Sequence, residues 1–532
     1  MSNTVRVRFA PSPTGHLHVG GARTALFNYL FAKSQKEKGI DAQFLLRVED
    51  TDKERSSEVF LKSQLQDLKN LGIISNEGVF FNDNKLSEKG DLGPYRQSDR
   101  LDIYQEYVNI LLAKGLAYYC FLTDEEIDIQ KDLAKKNKST QQIISPYRPK
   151  NLEDAKIKIA QSQEKIQQGQ KPSVRFNTSS VKPEYIIEDL VRGKVTLPSE
   201  MVGDFVIQRS NGMPVYNFCC VVDDALMKIT HVLRAEEHLS NTLRQLMIYE
   251  ALKFTIPRFA HMSLILGEDK KKLSKRHGAT SVEDYLKEGY LPEALVNFLC
   301  LLGWSHPEAK EIFTLKDAAK VFDLKRLNSA PAVFDTKKLL WMNGEYMKAM
   351  SLDNLRERLL DYALFTNLLK DNSVQEYFTD SLGEKITGFC SSAKTLKEAM
   401  ELLKLIFFPL EILKESQEVL NFPETKTVLK AWVAQLKQQL QDSNLPTEET
   451  EEQKHFCLTT EEFISIQNQI KETCQVKGKH LFMPIRVAVI GKPHGAELKE
   501  LVPLISVKNL IQRAEKVIKK VLENKTNKET SS

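Results

Sequence analysis

At 532 residues the chain is too long for one hydrophobic core, so several domains are expected. Hydrophobic residues make up 42% and charged residues 27%, an ordinary globular balance, and no apolar run approaches membrane-spanning length. With 75 basic against 71 acidic residues, charge gives no argument for a nucleic-acid partner, and seven irregularly spaced cysteines argue against a disulfide framework and fit a reducing compartment.

The first residues run straight into a strand pattern with no signal or transit peptide, so the expected address is the cytoplasm. Residues 5–9 alternate apolar and cationic side chains as a short strand does; two prolines and a glycine stop it, and residues 22–33 carry the apolar spacing of a helix. A strand, a turn and a helix start with Gly15, Gly20 and Gly21 at the junction suit an anion, and His18 can donate to a phosphate. No Gly-Lys-Ser/Thr follows and the Gly-x-Gly-x-x-Gly spacing is absent, so this is neither a Walker loop nor a dinucleotide fingerprint. His18-Val19-Gly20-Gly21 resembles the first signature, "HIGH", of class I aminoacyl-tRNA synthetases. The longer run Phe9-Ala10-Pro11-Ser12-Pro13-Thr14-Gly15 narrows the resemblance to the glutamyl and glutaminyl branch. Gly21 replaces the final histidine, as is common in that branch, so one histidine rather than two would meet the triphosphate. The resemblance implies ATP contacts from Ser12, Gly15, His18 and Gly20, with Ala10 and Ser12 also lining an amino-acid pocket.

Residues 43–48 read as a second strand ending in Glu49-Asp50-Thr51-Asp52, at the edge where open α/β sheets bind ligands. Asp50 and Asp52 read equally well as helix caps. By resemblance Glu49 faces the ammonium group of the bound amino acid, and Asp52 and Arg55 lie toward the tRNA acceptor end. Residues 57–70 are helical. After residue 98 come helices at 101–113, 125–138 and 152–168 and strands at 174–176 and 193–197, an α/β insertion that in the family grips the acceptor end of tRNA. Some bacterial members bind zinc in this insertion, but here only Cys120 appears, with no Cys or His following through Lys150, so no structural zinc is expected.

Residues 204–208 and 214–222 read as strands, the second ending in Asp223-Asp224, and the adjacent Cys219 and Cys220 read as core. A strand and helix start follow at 232–238, and residues 241–252 are helical; His231 and His238 lack a third clustered ligand and do not make a metal site. The resemblance places Tyr216 and Arg234 in the amino-acid pocket and Glu237 near ATP, with Cys220 where the family has an asparagine. A substrate with two carboxylates calls for two cations, and Arg8 on the side-chain carboxylate with Arg234 on the α-carboxylate is the expected allotment. Residues 259–266 form the next strand, and Lys272-Leu273-Ser274-Lys275-Arg276 then resembles the second class I signature, "KMSKS", in the expected order. This implies ATP contacts from Ile265, Lys272, Leu273, Ser274, Lys275 and Arg276, with His18, Lys272 and Lys275 as the catalytic groups and Mg2+ accompanying the ATP.

Beyond residue 279 the pattern is helical, at 282–288, 292–302, 314–321, 334–350, 352–363, 396–413, 427–441, 460–473 and 507–522, with one strand signal at 485–490. The acidic run 447–454 reads as an exposed linker, the turn 491–495 as an ordinary loop, and the last ten residues as frayed. This resembles the all-helical anticodon-binding half of bacterial-type glutamyl enzymes, and not the β-barrels of glutaminyl ones. The expected fold is α/β plus all-α: a Rossmann-like catalytic domain in two parts (1–98 and 214–280) around an inserted acceptor-stem domain (99–213), then helical domains at 281–350, 351–430 and 431–525 and a tail at 526–532. The resemblance implies ATP-dependent joining of L-glutamate to tRNA(Glu) through a glutamyl-adenylate, by a monomer, with tRNA(Gln) open as a second partner. A glutaminyl-tRNA synthetase and a non-catalytic tRNA-binding paralogue are the alternatives; the helical half speaks against the first, and His18, Lys272 and Lys275 against the second.

Overall fold

The computed structural model describes residues 4–52, 54–136, 143, 145–274, 280–366, 381–407, 409–443 and 456–529. They fall into two compact units, residues 1–286 with 292–342, and residues 287–291 with 343–532.

In the first unit β1 (Val5–Phe9) leads through a proline-rich turn to α1 (Val19–Glu37), then β2 (Ala42–Leu46), α2 (Glu58–Asn70), β3 (Glu77–Asn82) and β4 (Lys85–Lys89). The strands form one sheet in that order, parallel between β1, β2 and β3 and antiparallel at β4. Ala22 and Ala25 bring α1 close to the sheet, and Leu26 and Leu30 fill the interface; all four are fully buried. Ser57 caps α2, its hydroxyl accepting from Val59 N. The insertion starts with α3 (Leu101–Ala113), β5 (Ala117–Cys120), α4 (Asp124–Lys136) and α5 (Leu152–Gln167). It continues with β6 (Ser173–Phe176), the hairpin β7 (Glu184–Asp189) and β8 (Gly193–Pro198), and β9 (Phe205–Gln208). Strands β5, β6 and β9 make a three-stranded antiparallel sheet.

The nucleotide fold resumes with α6 (Tyr216–Leu226), β10 (His231–Ala235), α7 (Leu239–Leu252) and β11 (Arg258–Met262), β10 and β11 being parallel. Thr230 N donates to Arg6 O at 3.0 Å, which sets β10 beside β1. The short β12 (Ile265–Leu266) pairs with Ala332–Val333. The second unit is helical among its described residues, and its largest helix cluster centres on the fully buried Trp432, Ile470, Ile485 and Leu510.

The structure corrects several expected elements. Residues 214–222 are not a strand: from Tyr216 on they form the start of α6, in which Phe218 to Asp224 are all buried, so no exposed face betrays the helical period. Likewise 485–490 belongs to the helix Lys479–Ile490, where Val487, Ala488, Val489 and Ile490 are all buried. The strand expected at 259–266 breaks into β11 and β12 at Ser263, whose carbonyl takes a bond from Arg23. The last helix runs to Glu529, through residues read as frayed. Strands β3, β4, β5 and β7 were not anticipated; Asp83 and Asn84, both at positive φ, make the β3–β4 turn. Gly491, at φ 84°, closes its helix against the backbone of Glu411 where a Cβ would collide, so it serves a turn. The linker expected at 447–454 lies outside the described residues. No helix among the described residues is long and apolar enough to cross a membrane.

Candidate active site

Strands β1, β2 and β10 run in one direction, so their carboxyl ends share an edge, and a cavity of about 760 Å³ opens there. The end of β1 and its turn contribute Arg8, Ala10 and Ser12, and the start of α1 contributes His18 and Gly20. Glu49, Asp52 and Arg55 come from the loop after β2; Tyr216 comes from α6, Arg234 from β10 and Glu237 from just beyond it. Ile265, Lys272 and Leu273 close the far side, so the first lysine of the second signature faces the cavity that holds His18. Leu273 N donates to Ile265 O at 3.1 Å, folding that loop onto β12. Gly15 and Ser274 do not line the cavity, and the Gly15 carbonyl is instead held by Gln64 Nε2 at 2.7 Å. Lys275 and Arg276 lie outside the described residues.

Beneath Arg8 and Glu49 lies a buried chain of alternating charge. Arg8 meets Asp224 through Nε and Nη2 at 3.1 and 3.2 Å, and Asp224 takes Arg47 Nη1 at 2.6 Å. Arg47, 0% exposed, reaches Glu49 at 3.2 Å and Asp223 at 3.6 Å, and Arg100 meets Asp223 at 2.7 Å. Three arginines thus face three carboxylates, and the charges balance. Burial alone would raise Asp224, but Arg8 and Arg47 hold it below the usual carboxylate range. Glu49 is shifted the other way: burial pushes it up against the pull of Arg47. Cys220 is buried as expected, with Sγ 3.1 Å from Glu49 Oε1.

Arg234 belongs to a different cluster. Its Nε is 3.2 Å from His261, its Nη2 is 2.8 Å from Thr242, and it lies over the Phe259 ring. Among the described residues no carboxylate pairs with it, and its buried Nη1 has no hydrogen-bond partner. A guanidinium this dry, 5% exposed and open to a cavity, fits an anion.

His18 caps α1 by accepting from Gly20 N at 3.1 Å through Nδ1, which leaves Nε2–H as the donor toward the cavity. Burial, with the nearby Lys272, pushes its pKa below the ordinary histidine value. The neutral ring is thereby favoured at neutral pH, and the midpoint of the His18 imidazole titration, followed by NMR on the free protein, is expected below the ordinary value of about 6.5. An inflection near pH 6.5 would show that the ring titrates there. Lys272 Nζ lies 2.5 Å from Glu237, another residue of the cavity lining, in an exposed pair that holds the ammonium only weakly.

Residues 4–341 match the family model for the catalytic domain of class I tRNA synthetases (E and Q), and residues 354–518 match an anticodon binding domain. The chain belongs to the class I tRNA synthetases of the E and Q type. A glutamate-tRNA ligase of Bdellovibrio bacteriovorus is 47% identical over 528 residues, covering 98% of this chain and 99% of its own. That of Bacillus subtilis is 41% identical over 522 residues, covering 97% and 100%. A crystal structure of a glutamate tRNA ligase from Elizabethkingia meningosepticum in complex with its amino acid matches with a TM-score of 0.73 at 29% identity, over 97% of this chain and 99% of that one.

For this synthetase the reading from sequence missed the charged floor of the site. Arg47 carried a signal, an arginine inside the apolar run Leu45-Leu46-Arg47-Val48, which implies a buried partner. Asp223 and Asp224 did not, because they were read at the end of a strand and not on the inner face of α6. His238, weighed only as a metal ligand, lines the cavity with Nδ1 3.3 Å from Tyr216 Oη and 3.4 Å from Asn241 Nδ2. Burial and then Arg234 push it down to about 4, so it is neutral. Asp50 lies outside the cavity lining and binds Ser98 N at 2.8 Å and Arg96 at 3.2 Å.

Proposed function

We propose that this synthetase joins L-glutamate to tRNA through a glutamyl-adenylate, the observation carrying the reading being the unpaired, buried guanidinium of Arg234 in the cavity. A neutral side-chain amide would leave that cation uncompensated, so glutamate is favoured over glutamine. The structure prompts a revised allotment of the two carboxylates. Arg8 and Glu49 are linked through Asp224 and Arg47, whereas Arg234 stands apart with Phe259, Thr242 and His261. The ammonium and α-carboxylate of an amino acid share one carbon. With the ammonium on Glu49, the α-carboxylate therefore goes to Arg8 and the side-chain carboxylate to Arg234.

The α-carboxylate, ionised at neutral pH, attacks the α-phosphorus of ATP and pyrophosphate leaves, so activation needs no general base, and rate comes from positioning and from spreading charge over the phosphates. His18 Nε2–H and Lys272, both lining the cavity, serve this, and Lys275 continues the second signature. Ser12, Glu237, Ile265 and Leu273 complete the ATP side, and Asp52 and Arg55 take the acceptor end. Magnesium, when bound, neutralises charge on the triphosphate. Among the described residues no group of three His, Cys, Asp or Glu comes together to hold a metal ion. In the second step a hydroxyl of the terminal adenosine attacks the anhydride carbonyl and AMP leaves.

The test is charging of purified tRNA(Glu), and in parallel tRNA(Gln), with labelled glutamate or glutamine. Glutamate transfer to tRNA(Glu) is expected; transfer of glutamine but not glutamate would overturn the reading. Lys272→Ala should slow adenylate formation by roughly a hundredfold, read as single-turnover pyrophosphate release with tRNA(Glu) present.

A further inference from the structure

The β7–β8 hairpin belongs to the insertion, yet its turn is anchored to the strands that carry the amino-acid pocket. Leu190 N donates to Phe259 O at 2.9 Å, and Arg192 pairs with Glu236, whose Oε1 also accepts from Leu264 N at 3.1 Å. Asp189, 4% exposed, ends β7. One carboxylate oxygen closes its own turn, accepting from Val191 N and Arg192 N at 3.0 Å. The other lies 2.6 Å from His261 Nδ1. His261, on β11, is 0% exposed, and its far nitrogen, Nε2, is 3.2 Å from Arg234 Nε.

These contacts fix the proton on the imidazole. A carboxylate only accepts, so Nδ1 carries the hydrogen and Nε2 keeps a lone pair for the Arg234 N–H. The opposite tautomer would leave Asp189 facing a lone pair and would turn an N–H against a guanidinium. Thr242 Oγ1 accepts from Arg234 Nη2 at 2.8 Å, so two of the three guanidinium nitrogens are tied down and Nη1 alone is left for the cavity. We propose that Asp189 and His261 are positioning residues for Arg234: the tip of the inserted hairpin sets the imidazole tautomer, and the imidazole aims the guanidinium at the substrate's side-chain carboxylate. This rests on the pocket reading given above for Arg234. It ties glutamate recognition to the docking of a hairpin that itself touches no amino acid.

The experiment measures KM for glutamate and for ATP in tRNA(Glu) charging, with thermal unfolding of each variant. His261→Asn retains an N–H for Asp189 but withdraws the acceptor for Arg234. It is expected to raise KM for glutamate roughly tenfold while KM for ATP stays within about twofold. His261→Gln, which can place a carbonyl oxygen near the position of Nε2, is expected to recover most of the loss. Wild-type KM for glutamate in H261N, or a parallel rise for both substrates, overturns the proposal. Should H261N not fold, Asp189→Asn carries the test with the same selective rise expected and wild-type constants overturning it. Arg234→Met separates the two ideas. If it too leaves KM for glutamate unchanged, the pocket reading has failed; if R234M raises that constant and neither H261N nor D189N does, only the relay has failed.

Discussion

Arg234→Met is expected to lower kcat/KM for glutamate by roughly a thousandfold or more while leaving the protein as stable as the wild type, or more so. In the proposed pocket the guanidinium, 5% exposed, would supply charge-assisted hydrogen bonds, and without it a carboxylate would enter unpaired. Stability should move the other way because Arg234 is a buried cation with no carboxylate among the described residues, and methionine covers the same stem without the desolvation cost. Steady-state charging kinetics and a thermal melt measure both effects on one sample. A variant that keeps its specificity constant for glutamate would remove Arg234 from the pocket. One that loses activity only because it melts would refute the separation of function from stability.

Asp224→Asn should do the reverse, costing about 3–5 kcal/mol of stability as well as glutamate use. The substitution leaves Arg8, Arg47 and Arg100 facing only Asp223 and Glu49, so the buried chain carries an uncompensated positive charge. Arg8 also loses the two contacts that orient it. The pH dependence follows from the direction of the shift. A carboxyl held below its ordinary value contributes stability that is present above its unfolded value, about 3.9, and is lost as pH falls toward the lower folded one. The gap between wild type and variant in chemical denaturation should therefore be full at neutral pH and narrow below about pH 4. A gap that does not change with pH would mean that the charge on Asp224 does not matter to the fold.

Much of the site was legible because its chemistry is local in sequence. Residues 9–21 are contiguous, so the prolines and glycines announced a strand, a turn and a helix start without any fold, and His18 and Gly20 line the cavity. The second signature is equally local, and Lys272 faces the cavity that holds His18. The two helical stretches misread as strands are largely buried along their length. Along α6 neither alternation nor a 3.6-residue period survives when Phe218 to Asp224 are all inside.

The sequence by itself determined the strand–turn–helix start, the order of the two signatures and the helical second half, because each is written in neighbouring residues or in composition. Only the tertiary structure decided the charges. Which arginine is neutralised and which stays free depends on partners more than 170 positions away, Arg8 and Arg47 on Asp224, and on their absence around Arg234. A buried charge is set by whatever folding brings within a few ångströms of it, and no local spacing records that distance.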